Sequence, residues 1–376
     1  MVGLTSGITL VFEAARNLGA NDAEITSWVW ALCVGMAGLI IVSSLRYRAP
    51  VMIAFSAPGA AVLATLPPGA FTLAQAIGAF MIGGVLAAIV GYSGLFEQVM
   101  NRIPLPLVGA LLAGVLARFV VSGFADAKTS PGLVVVTTLV YLALRRFQPR
   151  YAVIGVLVVG VAMSMLAHSL QTDMLQWALA RPVFTAPTFA FSAMMGIALP
   201  VFIVTMAGQN LPGVAVIRST DYRIPVSKVI GSTGVATVLL APFGGYSFNL
   251  SAVTAAICME PAAHEDASRR YTASLANGGL YLIAGLFGTS ITAALRAFPT
   301  ELVHIVAALA LLPTIGNSLV VATADTSNRE PAILTFVVTL SGVTLLGIGS
   351  PFWGLCAGAV AMAISSVRTR RRSPSA

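Results

Sequence analysis

The sequence predicts an all-α polytopic membrane protein of about fourteen segments, arranged as two inverted repeats of about seven. Three observations lead there. First, the 376 residues are 57% hydrophobic and only 9% charged, with a mean hydropathy of +0.91. A soluble domain carries about 25% charged residues, so this chain has too few for a water-facing surface. Second, apolar runs long enough to cross a bilayer recur from end to end, and stretches such as Leu133 to Leu144 and Tyr151 to Leu166 do not alternate as barrel strands do. Third, two hydrophobic segments almost half the chain apart are interrupted alike. One begins Ala49-Pro50 and continues to Phe55-Ser56-Ala57-Pro58-Gly59; the other begins Ala241-Pro242 and continues Phe243-Gly244-Gly245-Tyr246-Ser247-Phe248-Asn249. Paired interruptions in two halves point to the binding site of a secondary transporter.

In order, the first seven segments cover about 2–18, 25–45, 51–65, 73–93, 104–122, 131–146 and 150–168. The second seven cover about 191–214, 224–241, 248–259, 271–291, 299–321, 331–348 and 350–367. These define a first repeat over 1–168, a second over 185–367 and a basic tail over 368–376. The first segment barely reaches spanning length before Gly19 and has no charged flank, so its helix is expected to begin upstream of Met1. No basic stretch precedes it, so it does not read as a cleavable signal. Segments three and ten are too short to span as helices, and each reads as an extended stretch followed by a half-helix. Non-helical backbone at that depth needs protein or a water-filled cavity around it.

The loops fix the orientation. Alternating sides collects Arg46, Arg48, Arg102, Arg145, Arg146, Arg150, Arg218, Arg223, Lys228, Arg269, Arg270, Arg329, Arg368, Arg370, Arg371 and Arg372 on one face. Arg16, Lys128, Arg181 and Arg296 fall on the other, and Arg118 lies within a segment. The Arg-rich face and both termini are therefore expected in the cytoplasm. The net charge of +8 is thus a topology signal rather than a nucleic-acid surface. With an odd number of spans per half, segments three and ten run in opposite senses, so their helix N-termini face one another near the midplane. Cys33, Cys258 and Cys356 are scattered through the spans and read as small packing residues, without disulfide or metal.

A helix N-terminus offers free N–H groups and roughly half a positive charge, so two that converge make an anion site without a buried cation. Around them stand Phe55, Ser56 and Ala57 on one side, and Tyr246, Ser247, Phe248 and Asn249 on the other. Ser and Asn cap helices or turn toward a carboxylate, while Phe and Tyr offer faces to a flat apolar body. The ligand predicted is a small aromatic or apolar anion. The same residues also fit a plain core with capped helices and no ligand. In segment eight, Gln209 and Asn210 are adjacent amides inside a span. Gln209 reads as a substrate contact, as a partner for the broken backbone of segment ten, or as part of a helix end capped by Asn210 and Gly213. Glu13 reads as a proton carrier or as a local ion pair with Arg16. Arg118 reads as a snorkelling side chain, and His304 as a proton relay or a hydrogen-bonded interior histidine. His264, Glu265 and Asp266 are contiguous and lack metal-ligand spacing, so that stretch reads as a loop tied by local charge pairs before a helix.

At these residues the chain resembles the benzoate membrane transport (BenE-type benzoate–proton symporter) family. The matching stretches are Ser27-Trp28, Ser43-Ser44-Leu45-Arg46-Tyr47-Arg48, Phe55-Ser56-Ala57-Pro58-Gly59-Ala60 and Leu112-Ala113-Gly114-Val115-Leu116-Ala117-Arg118-Phe119. In the second half they are Gln209-Asn210-Leu211-Pro212-Gly213, Pro242-Phe243-Gly244-Gly245, and Ala263-His264-Glu265-Asp266 with Arg269-Arg270-Tyr271. The resemblance implies the fold of nucleobase permeases and sulfate/anion transporters, with a mobile core (1–94 plus 187–293) and a gate (100–168 plus 298–368). It implies dimerisation through the gate, substrate between segments three and ten, and proton-coupled uptake of benzoate across a bacterial inner membrane. No cofactor is implied. The nucleobase permeases carry an acidic residue at the position of Gln209; the amide suits an anionic substrate and removes the obvious proton carrier. At Glu13 the family leads one to expect glutamine. A nucleobase, sulfate or bicarbonate carrier and an anion channel are the alternatives. An enzyme is not indicated, since the segments lack a Ser/His/Asp, paired-aspartate or His-Glu-x-x-His constellation.

Overall fold

The computed structural model describes residues 2–96, 98, 104–148, 151–167, 178–218, 220–259, 263–343, 345 and 350–370. The first half contains α1 (Val2–Asn17), α2 (Asp22–Tyr47), β1 (Ile53–Phe55), α3 (Ala57–Ala64), α4 (Leu73–Tyr92), α5 (Leu105–Ala125), α6 (Pro131–Phe147) and α7 (Ala152–Leu166). The second contains α8 (Phe191–Arg218), α9 (Val226–Leu240), β2 (Phe248–Leu250), α10 (Ala252–Met259), α11 (Tyr271–Leu286), α12 (Gly288–Ala297), α13 (Thr300–Thr323), α14 (Arg329–Ser341) and α15 (Ser350–Arg370). Among the described residues six helices are long and apolar enough to cross a bilayer: α2, α4, α8, α13, and α5 and α9 with their 3-10 extensions. Arg102, Arg150, Arg371 and Arg372, the last six tail positions, and the stretch 260–262 lie outside the described residues.

Local chemistry sets most helix ends. Asn21 and Glu24 form a reciprocal capping box at α2, with Asn21 Oδ1 accepting from the Glu24 N–H at 3.0 Å and Glu24 Oε2 from the Asn21 N–H at 2.7 Å. Thr72 and Gln75 do the same for α4. α3 is capped by Ser56, whose Oγ accepts from the Gly59 N–H at 3.0 Å. Pro58 sits in its first turn, where a missing N–H costs nothing. α2 ends as Arg48 turns left-handed (φ 47°), and the chain continues extended through Pro50.

Four expectations are corrected. Ala241-Pro242 does not open segment ten; with Phe243 it forms a 3-10 turn that closes α9 before the left-handed Gly244 (φ 99°). A side chain at Gly244 would overlap the Trp28 indole, so glycine is required there twice over. Segment eight does not end at Gly208–Gly213 but runs on to Arg218. It contains two π-helical stretches, Met194–Ala198 and Met206–Asn210, each lying just before a proline, Pro200 and Pro212. Proline lacks an N–H and crowds the carbonyl four residues back, here Gly196 and Gly208, and the helix widens just ahead of it, with Leu199 N–H donating to Met194 O and Leu211 N–H to Met206 O across five residues. Segment eleven breaks at Phe287 into α11 and α12. Segment thirteen stops at Ser341, where Gly342 (φ 70°) caps α14.

Between the halves, residues 178–190 run extended across helix ends. Their N–H groups are taken up by Leu286 O (from Ala180, 2.8 Å), Ser27 Oγ (from Val183, 2.9 Å), Pro242 O (from Thr185, 2.9 Å) and Ala74 O (from Thr188, 2.9 Å). In the helical packing α4 lies on α9, α2 on α11, α5 on α13 and α14, and α1 on α3. The α4–α9 pair approaches through glycines: a Cβ at Gly84 would stand 2.9 Å from Gly234 O, and one at Gly91 would overlap the Gly231 backbone. At Gly83, one residue away, the nearest atom would be 3.8 Å off. Gly84→Ala should therefore cost about 1–3 kcal/mol through overpacking while Gly83→Ala leaves stability within about 1 kcal/mol. Unfolding of the two variants in one detergent checks the contrast.

Candidate functional site

The two interrupted segments meet as a short antiparallel ribbon, with Ile53 opposite Leu250, Ala54 opposite Asn249 and Phe55 opposite Phe248. Because the strands oppose, α3 and α10 leave the ribbon in opposite directions. The pairing extends past both ends, as Ser56 N–H donates to Ser247 O (3.1 Å) and Ser251 N–H to Met52 O (2.9 Å). Side chains from the surrounding helices serve the remaining groups. Ser44 of α2 bonds both the N–H and the C=O of Val51 at 3.3 Å. Thr237 of α9 accepts from the Phe248 N–H at 3.3 Å, and Asn210 of α8 accepts from the Leu250 N–H at 2.9 Å. The Tyr246 hydroxyl donates to Ser56 O at 2.7 Å.

A chain of three hydroxyls lies at the α3 N-terminus. Ser247 Oγ donates to Thr205 Oγ1 (3.3 Å), which is 2.6 Å from Ser56 Oγ. Thr205 and Asn210 both reach the ribbon although positions five apart on an α-helix point about 140° apart. The π-helical turn between them, closing on i+5, brings them to one side. Tyr246 stands in an aromatic cluster, its ring centroid 6.0 Å from Trp28, 5.9 Å from Phe80 and 6.5 Å from Phe55. Beside the hydroxyls is a cavity of about 20 Å³, walled by Phe80, Phe202, Tyr246 and Phe248, with Thr205, Thr237 and Ser247 as polar lining. Small residues of α4, Ala79, Gly83 and Ala87, face it at four-residue spacing. That volume holds roughly one water molecule.

Of the residues predicted from sequence, Tyr246, Ser247 and Phe248 line this cavity. Ser56 lies one hydrogen bond behind its wall, with Phe55 against Tyr246 and Ala57 in the first turn of α3. Gln209 is half-buried, and its neighbour Asn210 is the residue that reaches the broken backbone. Asn210 is fully buried, and its amide also donates to Met206 Sδ at 3.3 Å. Asn249 lies within β2, not at the α10 cap; its Nδ2 donates to Leu250 O and its buried Oδ1 has no partner among the described residues. Sequence reading missed Thr205 and Thr237, single hydroxyls in apolar runs, as well as Phe80 and Phe202, and it met Trp28 only in the matching Ser27-Trp28 stretch.

Glu13 finds its ion-pair partner on another helix. His304 of α13 places Nε2 at 3.8 Å from Glu13 Oε2 and Nδ1 at 2.8 Å from Asp126 Oδ2. A cavity of about 70 Å³ adjoins them, lined by Thr9, Phe12, Arg16 and Phe298 among others. The Arg118 guanidinium lies against Gly342 at the α14 C-terminus, where a cation suits the helix dipole. The loop before α11 is tied locally: Arg270 donates to His264 O, Met259 O and Glu265 O. The Ser268 hydroxyl and N–H hold the Asp266 carboxyl below its usual range. Among the described residues no His, Cys, Asp and Glu grouping could hold a metal ion.

Long apolar helices packed around a crossing pair of broken segments define a polytopic helical membrane protein. Its fold matches the transmembrane domain of a cyanobacterium bicarbonate transporter, BicA, with a TM-score of 0.58 at 14% identity, over 95% of this chain and 96% of that one. It also matches the murine solute carrier 26 family member A9 anion transporter in the inward-facing state, with a TM-score of 0.57 at 12% identity, over 98% and 68% of the two chains. Residues 1–364 match the family model described as benzoate membrane transport protein, and the chain belongs to that family. It is 41% identical over 360 residues to "Inner membrane protein YdcO" of Escherichia coli strain K12, covering 96% of this chain and 92% of the relative. It is 36% identical over 361 residues to "Benzoate membrane transport protein" of Acinetobacter baylyi, covering 96% and 91%. The family is one of membrane transporters, not enzymes.

Tyr246→Phe removes one buried hydrogen bond while Ser56 O keeps the Ala60 N–H at 2.8 Å. A loss of about 0.5–1.5 kcal/mol is expected, read as a lowered unfolding midpoint of purified protein.

Proposed function

We propose that this protein is a secondary active transporter that takes up benzoate or a closely related aromatic carboxylate with protons across a bacterial inner membrane. The observation that carries the reading is the chain Ser247–Thr205–Ser56 beside a cavity walled by four aromatic rings. Hydroxyls at a helix N-terminus suit a carboxylate head, and the rings suit a flat apolar body. Family membership and the Acinetobacter baylyi relative support the substrate class, and the Escherichia coli inner membrane relative supports the location. Ser247, Tyr246 and Phe248 would touch substrate directly. Ser56 and Ala57 present the helix end, Phe55 backs the aromatic wall, and Asn210 and Asn249 hold the ribbon in place. Gln209, half-buried on the same helix as Thr205, would contact substrate once the site opens.

Since about 20 Å³ cannot contain an aromatic ring, binding requires α8 or α4 to draw back. Motion of a core against a gate supplies that opening. The fourteen-segment, inverted-repeat reading is supported by matched packing: α4 on α9 and α2 on α11 exchange under a two-fold axis, as do β1 and β2. The gate, built on α5 and α13, is the surface through which a homodimer would form. For the proton, Glu13 on the core side, His304 and Asp126 on the gate side form one titratable group with Arg16 beside it. A proton on Glu13 removes the charge that draws it to His304 and loosens the link between the moving parts.

Radiolabelled benzoate uptake into proteoliposomes should rise with an inward proton gradient; indifference to that gradient rules out symport. Uracil, sulfate and bicarbonate should compete poorly, and strong competition by one of them reassigns the substrate. Thr205→Val removes a hydroxyl that would serve the carboxylate, so apparent affinity should fall about 10- to 100-fold. Glu13→Gln should abolish the gradient's effect while benzoate counterflow persists.

A further inference from the structure

Apart from the ribbon site, a groove of about 560 Å³ lies between α2 and α9. At one end stand Arg46, near the C-terminus of α2, and Lys228, near the N-terminus of α9. Tyr92, at the end of α4, closes the same end, its hydroxyl 3.2 Å from Ser232 Oγ. Both cationic side chains are exposed, and among the described residues neither forms an ion pair with a carboxylate; Arg46 lies 6.0 Å from the Tyr47 ring centroid. Beyond this end the groove turns apolar, with Val34, Leu39 and Leu239 on its walls. Gly35 and Gly38 supply the width.

The dimensions match one leaflet of a bilayer. From Arg46 back to Val34, α2 rises about 18 Å at 1.5 Å per residue. The hydrocarbon of one leaflet is about 15 Å, half of a roughly 30 Å core. The charged end lies on the side that the bias of basic loops assigns to the cytoplasm, where the lipids carry the anionic headgroups. A free phosphate would use the two cations and leave a long apolar trough empty. A zwitterionic lipid would fill the trough, but its own ammonium cancels its phosphate, so the charges of Arg46 and Lys228 would both stay uncompensated. We infer that this groove is a binding site for one anionic glycerophospholipid, its phosphate held by Arg46 and Lys228 and an acyl chain lying between α2 and α9. The inference rests on membrane location and not on the identity of the transported substrate.

The groove also adjoins the ribbon. A Cβ at Gly35 would overlap the Phe248 ring and Leu240. The acyl chain would therefore end against the far side of the wall that Phe248 gives the inner cavity, and bound lipid would fix the spacing of α2 and α9 there.

Native mass spectrometry of the full chain in detergent, titrated with phosphatidylglycerol, tests the site. One saturable adduct is expected, in preference to phosphatidylcholine of the same acyl composition. Each basic residue contributes about fivefold near an anionic headgroup, so Arg46→Ala with Lys228→Ala should weaken the adduct roughly thirtyfold. Arg46→Lys with Lys228→Arg should retain it. Gly38→Leu fills the trough while keeping both charges, and its new side chain starts in open space, so folding is preserved; it should lose the adduct too. Inorganic phosphate should not displace the lipid. Equal binding of phosphatidylcholine, an unchanged adduct in the double alanine variant or in Gly38→Leu, or displacement by phosphate would each overturn the inference.

Discussion

Within a bilayer no water is at hand for a peptide group, so every N–H and C=O of a non-helical segment must find a partner in the protein. The ribbon of 53–55 with 248–250 exists under that constraint, and much of the central structure follows from it. Two extended strands pair with each other on one edge only. Their outer edges take side chains from three different helices: Ser44 of α2, Thr237 of α9 and Asn210 of α8. An unsatisfied group there costs about 1–3 kcal/mol or more, so these three helices are held at fixed positions about the ribbon. The hydroxyl chain and the aromatic cavity then occupy space that the backbone accounting has already defined.

Helix α8 shows how the sequence meets a geometric demand that a regular helix cannot. It must serve Ser56 and Ser247 with Thr205 and the Leu250 N–H with Asn210, on one side. Pro212 makes the π-helical turn between them favourable by denying Gly208 its ordinary partner. The same pattern recurs before Pro200. The second widened turn lies beside the small aromatic-walled cavity, which Phe202, Thr205 and Met206 of this helix line.

Chemistry is divided between two places in the molecule. The ribbon carries hydroxyls, amides and rings but no ionisable carboxylate, while Glu13, His304 and Asp126 gather on helices α1 and α13 and the turn after α5. The two groups stand on different elements, the ionisable side chains bridging α1 and α13 and the hydroxyls and rings gathering where β1 pairs with β2.

The amino-acid sequence alone determined the membrane class and the two interruptions, since hydropathy, charge bias and helix-breaking residues are local properties that the bilayer reads directly. It also placed Phe55, Ser56, Tyr246, Ser247 and Phe248 near the crossing, because residues flanking a break must lie where the break lies. Only the tertiary structure decided that Asn210 rather than Gln209 reaches the backbone, that Ala241-Pro242 closes a helix, and that Glu13 meets His304. The first depends on a helix's rotation about its axis, the second on a 3-10 turn ending at the left-handed Gly244, and the third on a partner 291 residues away. Thr205 was invisible for the same reason. One hydroxyl in an apolar run acquires a role only when a π-turn, an opposing strand and a second helix bring it to the same few ångströms.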